Sequence, residues 1–242
     1  MKFYLGTTNQ YKVRELASVL GPLQIPLVVT DPIDPEETGT TFAENAAIKA
    51  RAYGLHVGNT VRELYQCSGL SSMEANAATR AAQLMTISED SGIVIPALGG
   101  LPGPWSARFS DYDLDASRRR VRTYRPSERP REAMDAANNA RVLELMSHID
   151  PAHRAAKFVI LLVVADTDGN MVARFHGEVS GWITTETRGT NGFGYDPIFA
   201  SERSFGKTWA EIDSVRKNLL SHRKQALQEF TVWLGKQLRT GV

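Results

Sequence analysis

Two carboxylates, Glu89 and Asp90, stand at the end of a short apolar lead-in, Leu84 to Ile87, and are followed at once by Ser91-Gly92. Clustered acids of this kind can take a proton from water or hold a hard cation such as magnesium. Successive side chains on a strand point to opposite faces, so Glu89 and Asp90 serve one centre only if the chain turns between them. Ser91-Gly92 is expected to supply that turn. Beyond it, Gly99-Gly100 and Pro102-Gly103-Pro104 form a turn-rich loop that would hold Ser106 to Arg108 in place. The plainer alternative is an acidic strand end in a surface turn.

Three other stretches carry chemistry. Gly6-Thr7-Thr8-Asn9 lies between a short strand, Lys2 to Leu5, and a helix over Tyr11 to Leu20. A strand, a small-residue loop and a helix start leave backbone N–H groups and a positive dipole end, which suit phosphate. Lys12 would add a point charge, although the glycine pattern is neither a P-loop nor a dinucleotide fingerprint. Thr41-Phe-Ala-Glu44 opens a helix expected to end near His56. Glu44 there is either half of a capping box or a magnesium ligand, and Lys49 further along reaches a phosphate or is merely solvated.

Towards the carboxy terminus, Arg188-Gly-Thr-Asn-Gly-Phe193-Gly194-Tyr195-Asp196-Pro197 sets glycines beside aromatic rings. That composition holds a planar base, with Asp196 accepting from a ring N–H, or else makes a Gly-rich hairpin with packed aromatics. Lys217 and then Ser221-His222-Arg223 lead into a final helix whose expected buried stripe is Ala226, Phe230, Trp233, Leu234 and Leu238. Ser221 would cap it. His222 and Arg223 then oppose the helix dipole, which points modestly to a ligand.

The elements that must position these groups alternate between strand and helix periodicity. Leu27 to Thr30 reads as a second strand, Ser72 to Leu84 as a helix, and Asp135 to Ile149 as another with Ala136, Leu143, Met146 and Ile149 inward. Ala156 to Asp166 is a continuous apolar strand of the doubly buried type. A turn at Thr167 to Asn170 returns Met171 to Val179 beside it, and Gly181 to Thr185 could add one more strand. Between them, 111–131 is polar and holds seven arginines. It is read as an exposed mobile insertion rather than a nucleic-acid surface.

With 242 residues, the chain has length for one domain of two lobes; 28 basic against 27 acidic residues give no global pull towards nucleic acid or an anionic membrane. A single cysteine, Cys67, excludes an internal disulfide, no apolar run is long enough to span a bilayer, and no secretory signal is visible at the start. A cytoplasmic protein is expected.

Taken in order, these stretches resemble the Ham1/inosine triphosphatase family. The matches are Thr7-Thr8-Asn9 with Lys12; Thr41-Phe-x-Glu44-Asn45-Ala46 with Lys49; Glu89-Asp90-Ser91-Gly92 through Gly99-Gly-x-Pro-Gly to Ser106-Ala-Arg108; Gly192-Phe-Gly-Tyr-Asp-Pro197; Lys207-Thr; and Lys217 with Ser221-His-Arg223. The segments near 58–83 and 111–131 are longer than the family pattern, Glu89 stands where many members carry Asp, and Pro96 replaces an acidic residue.

The resemblance implies an α/β fold, a single domain over 1–242 with an elongated mixed sheet, flanking helices and two lobes with a nucleotide cleft between them. It implies Mg2+-dependent hydrolysis of non-canonical purine triphosphates (ITP, dITP, XTP) to monophosphate and pyrophosphate, in a homodimer with neither membrane nor nucleic acid as partner. Carried over, Thr7, Thr8, Asn9, Lys12 and Lys49 would hold the triphosphate. Asp90 would be the base, with Glu44 and Glu89 sharing the metal with it. Ser91, Phe193, Gly194, Tyr195, Asp196, Lys217, His222 and Arg223 would touch the substrate. Two alternatives are a nucleotide sensor without turnover and a Maf-like pyrophosphatase for modified pyrimidines.

Overall fold

The computed structural model describes residues 1–242 except 8, 22–24, 26, 241 and 242. In chain order the elements are β1 (Lys2–Leu5), α1 (Gln10–Leu20), β2 (Leu27–Val29), α2 (Phe42–Cys67), α3 (Ser72–Ala81), β3 (Leu84–Val94), β4 (Tyr112–Leu114), β5 (Val121–Tyr124), α4 (Arg131–Leu145), β6 (Ala155–Asp166), β7 (Met171–Ile183), β8 (Phe199–Ala200), α5 (Ser214–Leu220) and α6 (His222–Thr240). Six strands form one sheet in the order β2-β1-β3-β6-β7-β8, and β4 and β5 form a separate pair. β1 runs parallel to β2 and β3 whereas β7 and β8 are antiparallel, so the sheet is mixed, as expected.

The chain divides into two compact units. The first comprises Met1–Asp90, Leu161–His176 and Gln225–Val242, the second Ser91–Ile160 and Gly177–Lys224. In the first, Phe3 and Phe175 set their ring edges against Phe230, with centroids 5.3 and 5.7 Å apart. Ala46 and Ala50 of α2 pack on Val163 and Ala165 of β6, side chains small enough to let helix and strand approach closely. In the second, Phe158 stacks on Trp209 at 4.8 Å, and both join a buried cluster with Ile93, Phe109, Val142, Val179 and Phe199. The guanidinium of buried Arg154 donates to the carbonyls of Met146, Ile183 and Thr184.

Four sequence expectations are corrected. β3 does not stop on its acids; it runs without interruption through Glu89, Asp90, Ser91 and Gly92. α2 continues past His56 to Cys67. Gly58 does not break it, because a Cβ there would strike the Thr167 carbonyl, and Arg62 one turn on donates to that same oxygen at 3.1 Å. β7 is one strand to Ile183 rather than two. The arginine-rich segment is exposed, as expected, but ordered as the β4–β5 hairpin.

Two buried stripes also differ. At α4, Met146 is buried and Leu143 and Ile149 pack against the core as expected, but Ala136 is exposed, and Met134, Asp135, Asn138, Asn139 and Val142 also face inward. In α6, Ala226, Phe230 and Leu234 are buried but Leu238 is 63% exposed, as the apolar face has left the core by its last turn. Among the described residues no helix is long and apolar enough to cross a membrane.

Candidate active site

In the first unit the turn after β1 behaves as the residue types dictate. Asn9 caps α1, its side chain accepting from the Tyr11 and Lys12 N–H groups, and Thr7 Oγ1 accepts from Asn9 N at 3.2 Å. Thr8 lies outside the described residues. Parallel pairing of β1 with β3 sets Leu5 beside Ile87, so this turn meets the acid-bearing end of β3.

Because β3 is continuous, Glu89 and Asp90 point to opposite faces, and each finds its own lysine. Lys12 pairs with Glu89 at 3.1 Å, and Lys49 bridges Asp90 at 3.1 Å and Glu37 at 2.9 Å. The expected turn that would gather both acids at one centre is therefore absent, and the face Asp90 uses is not the face Glu89 uses. Glu37, on the loop before α2, escaped sequence reasoning because nothing in its spacing ties it to Lys49.

Burial pushes the Asp90 carboxyl up from its ordinary range, while Lys49 and then Lys12 pull it down without cancelling the rise. Burial lowers the Lys49 ammonium, but Asp90 and Glu37 outweigh it and hold Lys49 above its usual value. Asp90 Oδ1 accepts from Lys49, whereas Oδ2, equally buried, has no hydrogen-bond partner among the described residues. An oxygen so placed is ready for a proton, a water or a cation.

Gly6 marks how tightly this corner is built. A Cβ there would overlap Ser88 Oγ and lie 2.7 Å from the Tyr53 ring, itself buried with its hydroxyl on the Ile33 carbonyl. Gly6→Ala is expected to cost about 1–3 kcal/mol by overpacking and to lower turnover by disturbing β3 one residue from Glu89. Urea unfolding alongside steady-state turnover checks this; unchanged stability would mean that Tyr53 yields freely.

Glu44 forms the capping box with Thr41. Its Oε2 accepts from Thr40 N at 2.7 Å and Thr41 N at 3.0 Å, and these bonds, with Thr40 foremost, hold its carboxyl below the ordinary value. Oε1 takes no part in the box. No group of three or more His, Cys, Asp or Glu among the described residues is placed to hold a metal ion. Magnesium does not require one, since it is usually bound through one or two carboxylates plus substrate phosphates and water. The buried orphan Oδ2 of Asp90 is a hard oxygen of the right type, so the residues fit the ion.

In the second unit, Asp196 Oδ2 accepts from Phe193 N at 2.9 Å and from buried Lys217 at 2.6 Å. The Lys217 ammonium also lies 4.4 Å from the Phe193 ring centroid and 5.9 Å from that of Trp209. Cation, carboxylate and aromatic face thus form one group. Gly194 is held through both backbone groups, its N–H on Asp135 and its carbonyl on Asn139. Tyr195 is buried as a support, donating to the Ser106 carbonyl at 2.8 Å, and burial pushes its phenol well above the ordinary value.

Arg223 reaches Ser91 Oγ at 3.5 Å, and His222 stacks on Phe158 at 5.1 Å and Trp209 at 6.0 Å. Ser221 Oγ accepts from Lys224 N, the expected cap. Sequence reasoning missed Asp135, Asn138, Asn139 and Trp209. Their signal was present, because positions 135, 138, 139 and 142 lie on one helix face, yet polar residues there read as solvated when they in fact grip the loops at 106–107 and 194.

The model of the Ham1 family matches residues 3–233. The chain is 36% identical over 230 residues to a dITP/XTP pyrophosphatase of Aquifex aeolicus, spanning 95% of this chain and 94% of that protein. It is 32% identical to a dITP/XTP pyrophosphatase of Listeria innocua, over 94% and 92% of the two chains. Among solved structures it resembles a HAM1 protein from Coxiella burnetii, with a TM-score of 0.68 and 30% identity over 98% of this chain and 99% of the other. The Staphylococcus aureus Ham1 protein gives a TM-score of 0.69 at 26% identity, over 98% of this chain and all of the other.

Proposed function

The chain belongs to the Ham1 family, and from that membership we propose that it hydrolyses the non-canonical purine triphosphates ITP, dITP and XTP to the monophosphate and pyrophosphate. The observation that carries the chemistry is Asp90, a buried carboxyl with one oxygen on Lys49 and the other without a partner among the described residues. Relatives named dITP/XTP pyrophosphatases, matching nearly the whole chain, support the substrate class.

The residues of the first unit serve the triphosphate. Thr7 and Asn9 lie before the start of α1, whose positive dipole end suits phosphate, and Lys12 and Lys49 supply positive charge. Asp90 Oδ2 accepts the proton of the attacking water, and its burial-raised affinity for that proton suits a general base. Magnesium, with Glu44 as a ligand and the negative charge of Asp90 beside it, would offset charge on the leaving pyrophosphate. Glu89 is assigned to Lys12, fixing that ammonium beside the turn.

The residues of the second unit serve the base. Phe193 offers a ring face next to the Lys217 ammonium, and His222, Arg223 and Ser91 supply polar contacts. Hypoxanthine and xanthine present a 6-oxo acceptor where adenine presents a 6-amino donor, so donors such as Arg223 favour the oxo bases and leave adenine's amino group unpaired. The same reading extends to a homodimer in the cytoplasm. Exposed Phe205, Val215 and Leu219 of the second unit, Phe205 lying against Arg216 at 5.1 Å, support a partner surface there.

The test is pyrophosphate release from ITP, XTP, dITP, GTP and ATP, each with and without magnesium. Release from ITP, dITP and XTP well ahead of GTP and ATP is expected; release from none of the three overturns the reading. In the same assay Arg223→Ala should narrow the ITP-over-ATP ratio of kcat/KM by roughly tenfold or more, the worth of a hydrogen bond to a charged group. An unchanged ratio would remove Arg223 from base selection.

A further inference from the structure

We propose that the β4–β5 hairpin is a binding site for single-stranded nucleic acid. Residues 116–126 hold five arginines and no acid, so the remainder of the chain carries 23 basic against 27 acidic residues. The first strand and tip of the ribbon also carry Asp113 and Asp115, so its positive excess lies in the arginines from 118 onward.

The ribbon is built to display that charge. Leu114 and Val121 pair across the strands and pack against the core, and Trp105 sets its edge to Tyr112 at 6.4 Å. At the tip, Asp115 accepts from Ser117 Oγ and from the backbone N–H groups of Arg119 and Arg120, bonds that hold its carboxyl below the ordinary value. Arg118 sits in the left-handed region, φ 56°, at that tip. Arg125 pairs with Asp113 and Arg129 with Asp111. By contrast Arg118, Arg119, Arg120 and Arg122 are exposed and form no ion pair among the described residues. Asp115, whose carboxyl feels the Arg120 charge, is a single acid set among these four cations and leaves most of their mutual repulsion in place; a polyanion would neutralise it.

The aromatic residues choose the class of polyanion. Tyr124 is 41% exposed, lies opposite Tyr112 with ring centroids 4.8 Å apart, and follows exposed Arg122 by two residues across an irregularity in the ladder. Arginines that follow phosphates beside an exposed ring on which an unpaired base can stack are the combination that single strands require. No aliphatic side chain of 111–131 is among the exposed large hydrophobics, so the ribbon has nothing to insert into a lipid surface.

The experiment measures anisotropy of a fluorescent oligo-dT with the full-length protein over a salt series. Four phosphate contacts to a single strand predict a loss of affinity of roughly 50-fold between 50 and 200 mM salt. The variant Arg118→Gly, Arg119→Ser, Arg120→Ser, Arg122→Ser should lose most of the binding and most of that salt dependence. Tyr124→Ala should weaken binding by roughly tenfold through lost stacking. Pyrophosphate release unchanged in both variants shows that they are folded. No binding by the native protein, or binding retained by the four-arginine variant, overturns the proposal. So does equal competition by polyglutamate or by anionic vesicles with no effect of Tyr124→Ala, which would make the partner an acidic peptide or a membrane.

Discussion

Asp90→Asn lowers kcat by roughly 10²- to 10⁴-fold, the usual worth of a general base, while ITP binding persists. The amide keeps the shape of the carboxyl and an oxygen for Lys49, which also retains Glu37 at 2.9 Å. What disappears is an oxygen able to take a proton from water and the charge that magnesium would meet. Single-turnover pyrophosphate release and calorimetric ITP binding, measured on the same preparation, separate the two effects. Turnover within tenfold of the native enzyme would assign the base to another group.

The second large effect is on stability. Asp196 and Lys217 are 2% and 5% exposed and lie 2.6 Å apart, and Asp196 also holds the Phe193 N–H. Asp196→Ala removes the carboxylate 2.6 Å from a buried ammonium, and breaking such a pair from one side costs about 3–5 kcal/mol. Denaturant unfolding should show that loss. The double variant Asp196→Ala, Lys217→Met should recover part of it, because an apolar pair of similar volume removes the buried charge. A single-variant cost below about 1 kcal/mol, typical of an exposed pair, would mean that the ammonium finds another acceptor.

Much of this architecture was legible in the residues. The capping box of Thr41 and Glu44, the apolar run of β6 and the turn into β7 follow from local rules that tertiary contacts did not override. The grouping of Phe193, Asp196 and Lys217 was visible only as composition, because 21 residues separate Asp196 from its lysine. The course of β3 was misread for a physical reason: Ser91-Gly92 permits a bend but does not force one, and the buried positions Gly92 and Ile93 continue the ladder instead. The inward polar face of α4 was hidden because amphipathic reasoning sends Asp and Asn to solvent, whereas here they satisfy loop backbone that would otherwise be buried without partners.

The uninterrupted course of β3 limits how chains of this kind can change in length. The side-chain alternation of a strand has a period of two, so losing one residue between Leu84 and Ser88 would exchange the faces of Glu89 and Asp90 and detach both from their lysines. Codons can be gained where α2 runs on or at the tip of the arginine hairpin with little effect on this register. A deletion of one codon in β3, by contrast, should be as damaging as removing Asp90, the proposed general base, although every residue of the pair would still be encoded.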